Sequence, residues 1–170
     1  MLELYEESAI EGMESGLFAY FAHPDLFMRS YPEFDRHCKL ISRHICRTAA
    51  RLNLPLEYNI GYEDYNDAHK ITTIPHPDFW KIAAAEGCTA IIGVDAHNNQ
   101  YLETPFYYDR ANERLRALGI KVIDRIPFLS EKMILVITVA PTFWFKAHRQ
   151  SCSRPSSTPD ERAAESKMHI

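Results

Sequence analysis

The sequence predicts an α/β fold built on a mainly parallel sheet. Two observations carry this reading. Segments with apolar residues at helical spacing are separated by short continuous apolar runs, and the helix–strand pattern recurs four times along 170 residues. The length suits one domain, and the 46% hydrophobic content is enough to fill a core.

The elements follow in order. Leu2, Tyr5, Ala9 and Met13 share one face of a first helix, and Gly16 stands where a helix end favours glycine. Residues 17–22 form a continuous apolar run, the pattern of a strand buried on both faces, which ends at His23-Pro24-Asp25. Phe34, Cys38, Ile41, Ile45, Thr48 and Leu52 then recur at helical spacing across 33–53. A short strand over 54–58 ends in Asn59, and 60–74, rich in Tyr, Asp and Asn without a period, is predicted as a loop. Pro77 and Asp78 open a third helix with Phe79, Ile82 and Ala83 inward, and Gly87 closes it. Residues 88–94 are a buried strand leading to Asp95-Ala96-His97. A fourth helix over 105–118 faces Tyr107, Ala111, Leu115 and Leu118 inward, Gly119 stops it, and 120–123 begin a last strand.

Four such units cannot close a barrel of seven or eight strands, so the sheet is open or the chain is part of something larger. The expected organisation is an α/β domain over 1–130 and an atypical, poorly ordered tail over 131–170, whose stretch 151–160 is rich in Ser and Pro.

Composition excludes several classes. A net charge of −4 and a pI near 6.1 leave no basic stripe for DNA or RNA, while a small charged substrate stays open. The N-terminus is acidic and lacks an apolar signal region. The longest apolar run, 133–145, is broken by Pro141 and falls short of the roughly 20 residues of a membrane span. Cys38, Cys46, Cys88 and Cys152 form no C-x-x-C pair and read as reduced, mostly buried thiols. A cytoplasmic protein without nucleic-acid or membrane partners is expected.

Chemistry is expected where strands end, since α/β sheets build their sites at the C-terminal edge. Residues two apart on a strand point to one side, so Asp95 and His97 face one space together. Carboxylate plus imidazole is a ligand set for Zn, Mn or Fe, and His23 adds a second imidazole from another strand end. Glu57 and Asn59 share a face by the same rule. Each has a plain structural alternative. Asp95 can cap a turn, His97 can be a surface histidine, His23 a rigid turn before proline, Glu57 an ion-pair partner and Asn59 a turn former. His76 reads as a helix starter and Arg29 as a solvated loop arginine.

The series Ala22-His23-Pro24-Asp25-Leu26-Phe27, Leu56-Glu57-Tyr58-Asn59, Pro77-Asp78-Phe79-Trp80 and Ile92-Gly93-Val94-Asp95-Ala96-His97 resembles the histidinol-phosphatase branch of the PHP (polymerase and histidinol phosphatase) family, over about residues 2–126. The resemblance implies a distorted barrel of βα units around divalent ions, of which this chain carries a part. It implies His23, Asp95 and His97 as metal ligands, Asp95 and His97 as catalytic, and Glu57 and Asn59 as site-lining residues. The implied activity is metal-assisted hydrolysis of a small phosphorylated substrate, histidinol phosphate foremost, in histidine biosynthesis. A PHP-type nuclease and a non-catalytic fragment that binds a metal or pairs with a partner are the competing functions.

Two departures shape the expectation. The family's N-terminal H-x-H motif and the ligands of its middle strands are absent, so the chain reads as truncated at its N-terminus and able to hold one metal ion. From about Ser130 onward no family pattern continues, as in a foreign or frame-shifted ending. Association with another chain to complete the barrel is therefore expected, because a half barrel leaves a sheet edge open.

Overall fold

A computed structural model of the chain describes residues 2–31, 33–96 and 99–126. The predicted tail over 131–170, Cys152 and His97 lie outside these residues. The described part is mixed α/β around a small parallel sheet. Helix α1 (Leu2–Glu14) and helix α2 (Arg36–Leu52) precede strand β1 (Leu56–Asn59). Helices α3 (Glu63–His69) and α4 (Pro77–Ala85) lead to strand β2 (Thr89–Gly93), and α5 (Gln100–Glu103) and α6 (Phe106–Ala117) lead to β3 (Lys121–Val122). The sheet order is β1-β2-β3, with Leu56 opposite Ala90, Asn59 opposite Gly93 and Ala90 opposite Val122, all parallel. Parallel neighbours require a crossover, and the helices between the strands supply it.

Helix α2 is the best specified. The Asp35 carboxylate accepts the Cys38 N–H at 2.9 Å as its N-cap, and Asn53 ends it in the left-handed region at φ 52°. Cys38, Ile41, Ile45, Cys46, Thr48 and Ala49 turn inward. Leu52, expected on that face, is partly exposed because the helix stops there. Helix α2 packs on α1 and α4, and Ile41, Ile45, Leu56, Phe79, Trp80 and Leu115 are almost completely buried. Ile45→Val removes one buried methylene from this close-packed layer, and urea unfolding should show a loss of about 1 kcal/mol. On the surface, α1 and α2 are joined in parallel register by Glu3 to His37, Glu6 to His44 and Glu14 to Arg51.

Two expectations change. Residues 17–22 do not form a strand. Gly16 at φ 70° and His23 at φ 45° turn the chain at both ends, so only Phe21 aligns with β1. It donates its N–H to Pro55 O at 2.8 Å and accepts from Glu57 N–H at 2.9 Å, while Leu17 is exposed. The stretch 60–74, expected as a loop, contains a 3₁₀ turn (Ile60–Tyr62) and α3. Tertiary polar contacts hold α3: the buried Glu63 carboxylate accepts from Tyr58 Oη at 3.2 Å, from Arg114 Nη1 at 2.7 Å, and from Arg110. This cluster ties the end of β1 to α6. The cysteine expectation holds for Cys38, Cys46 and Cys88, which are free and buried.

Candidate functional site

The end of β1 and the loops after Phe21 and β2 meet at one edge of the sheet, and four of the expected residues converge there. All of β1 is buried, so its outgoing residues Glu57 and Asn59 reach the site through the protein and not from solvent. His23 sits in the left-handed region, uncommon for a residue with a Cβ, and several bonds hold it there. Its N–H donates to Glu57 Oε2 at 3.1 Å, and its carbonyl accepts from Leu26 N–H at 2.9 Å and from Tyr5 Oη at 3.1 Å. This backbone turn aims the imidazole along the strand ends. His23 Nε2 lies 2.8 Å from Asn59 Nδ2, 3.6 Å from Glu57 Oε2 and 3.8 Å from Asp95 Oδ2.

Asn59 also caps the following turn, its Oδ1 accepting the Gly61 N–H at 2.8 Å. Asp95 leaves β2 at φ 22°, and its side chain is about half exposed at the mouth of the site. Tyr20 stands beside the same charges: burial pushes its hydroxyl up, and Glu57 and Asp95 push it further in the same direction. His97 lies outside the described residues.

Sequence reasoning missed three contributors. Gly93 faces Glu57 so closely that a Cβ there would stand 2.0 Å from Oε1 and 2.7 Å from Cδ. Its signal was the glycine two residues before Asp95, which the strand pattern alone does not interpret. Tyr5, from the first helix, clamps the carbonyls of His23 and Pro24. Asp25 is buried under the site and accepts the His76 N–H at 2.6 Å. Burial raises its carboxyl to about 7, against the pull of the His76 N–H. The Trp80 indole N–H has no hydrogen-bond partner of normal geometry and adds only a weak pull on the same carboxylate. His76 starts α4 as expected, its Nδ1 accepting the Asp78 N–H at 3.2 Å, and burial lowers its pKa. Arg29 lies over the Tyr62 ring at 5.0 Å.

The donor types suit a divalent cation. Two ligands of one ion with bonds of about 2.1 Å stand roughly 3–3.5 Å apart, and the imidazole–carboxylate separations of 3.6 and 3.8 Å are slightly wider. Among the described residues, no group of three or more His, Cys, Asp or Glu side chains closes to metal-holding geometry. His23, Glu57 and Asp95 thus lie near one another at the sheet edge without closing on a common point. Comparison of the chain with family models, with curated proteins and with solved structures returns no match.

Proposed function

We propose that this chain is a metal-dependent phosphomonoesterase of the PHP type, carrying part of a βα barrel, with histidinol phosphate as its substrate and histidinol as product. One observation carries the reading: an imidazole and two carboxylates, from three separate segments, face one another at the C-terminal edge of a parallel sheet. His23 and Asp95 would hold the ion, with Glu57 beside them and His97 as the further ligand that the resemblance implies. A bound divalent ion supplies hydroxide near neutral pH and offsets charge on the phosphate oxygens.

The chain's own groups do the rest. Glu57 fixes the His23 backbone at the strand ends through the His23 N–H, and Asn59 meets the ring itself at Nε2. Asp95, half exposed at the mouth, would accept a proton from water approaching the phosphorus. The net charge of −4 favours a small phosphate ester over a nucleic acid.

The test is hydrolysis of histidinol phosphate and p-nitrophenyl phosphate with added Mn or Zn. The full chain should turn over both, and His23→Gln should lower the rate by about 100-fold or more, as expected when an ion loses a ligand. Wild-type protein inactive with either metal would overturn the reading.

A further inference from the structure

We propose that Asn59 is a positioning residue that holds the His23 ring in its Nδ1–H tautomer by donating to Nε2, which keeps that nitrogen unprotonated beside Glu57 and Asp95. The tautomer follows from hydrogen-bond accounting; its use in holding a cation rests on the function proposed above.

The two ends of the Asn59 amide are distinguishable by their partners. Gly61 N–H is a donor only, and it lies 2.8 Å from the atom that must therefore be the amide oxygen. Flipping the amide would set its NH₂ against that N–H, donor to donor. The close approach is built into the chain, because a Cβ on Gly61 would come within 3.0 Å of Asn59 Oδ1. The NH₂ is thereby turned to His23, with Nδ2 at 2.8 Å from Nε2. An amide NH₂ only donates, so Nε2 must accept, and the ring proton resides on Nδ1. The carboxylate oxygens at 3.6 and 3.8 Å are too far to claim a proton from Nε2 by hydrogen bonding.

Burial makes this setting stiff. Asn59 is only 3% exposed and lies on β1, hydrogen-bonded in register opposite Gly93, so the amide is held by the sheet. An imidazole binds a metal through the nitrogen that carries no proton, and a partner that fixes the tautomer normally sits on the opposite ring nitrogen. Here the donor occupies the ligating position itself and would be displaced when a cation arrives. Asn59 would thus keep Nε2 unprotonated until then.

The experiment is a long-range ¹H–¹⁵N correlation on the full chain near pH 9, where ordinary imidazoles are neutral, with His23 assigned by its loss in His23→Gln. In the wild type the Nε2 resonance should sit at the unprotonated ¹⁵N position. Asn59→Asp keeps an acceptor for Gly61 N–H and replaces the donor by an acceptor, and should move Nε2 to the protonated position. An Nε2–H signal in the wild type overturns the proposal by itself, whatever the folding of the variant, and so does an Asn59→Asp spectrum unchanged from wild type. A parallel Mn titration separates the two readings. If His23→Gln binds Mn within threefold of wild type, the metal site fails while the tautomer assignment stands; a loss of tenfold or more supports the metal site.

Discussion

Replacing Gly93 by alanine is expected to cost about 3 kcal/mol of stability, because the added methyl has no space and its neighbour is a buried carboxylate. The new Cβ would overlap Glu57 at Oε1, Cδ and Cγ, all closer than 3.0 Å. Glu57 cannot step aside freely: it is 6% exposed and holds the His23 N–H through Oε2. Moving it breaks that bond and releases the left-handed turn at His23, so the loss is both overpacking and an unsatisfied backbone donor. Urea unfolding of Gly93→Ala, of Glu57→Ala and of the double variant measures this directly. With Glu57 already shortened, the alanine should cost less than about 1 kcal/mol, which makes the pair strongly non-additive. Equal cost in both backgrounds would show that Glu57 is not what the methyl meets.

Asp25 is expected to make stability fall as the pH rises from about 4 to about 7. Its carboxyl is held near 7 in the fold by burial, against about 3.9 in an unfolded chain. The folded protein therefore prefers the protonated form. That contribution is complete below about pH 4, falls as the pH climbs and is gone above about pH 7, a total of about 4 kcal/mol. Asp25→Asn is neutral at every pH and keeps an oxygen for the His76 N–H. The stability difference between wild type and Asp25→Asn, measured by urea unfolding at pH 4.5 and pH 8, should shift by several kcal/mol in favour of the asparagine variant at the higher pH. A constant difference would mean that the Asp25 carboxyl titrates as an exposed one does.

Much of the frame is legible in the sequence, for local reasons. Helix α2 is readable because Cys38, Ile41 and Ile45 keep helical spacing over several turns between an Asp cap and an Asn stop. Helix α4 is readable because Pro77 fits its first turn. The candidate site is readable as far as the polar residues after the apolar runs reach: the structure brings His23, Glu57, Asn59 and Asp95 near one another, while the Asp95–His97 pairing expected from the two-residue period lies outside the described residues.

What escapes is set by contacts far along the chain. Helix α3 has little apolar period, and Glu63 holds it through Arg110 and Arg114 from another helix. The run 17–22 has strand composition, but its two flanking turns at positive φ leave one residue in register with β1. The roles of Gly93 and Asp25 depend on what lies opposite them in space, Glu57 for one and the His76 N–H for the other. No window of sequence contains both partners.

The all-parallel ladder has a consequence for how the chain emerges from a ribosome. Synthesis runs from the N-terminus, and domains fold in that direction as they appear. When Leu56–Asn59 leaves the exit tunnel, its ladder partner Thr89–Gly93 has not yet emerged, and the Lys121–Val122 segment follows later still. During that interval the nascent chain can offer β1 the Phe21 bridge in place of its ladder. A buried strand therefore has to wait for its ladder, and chaperone dependence during translation should centre on the span between β1 and β2.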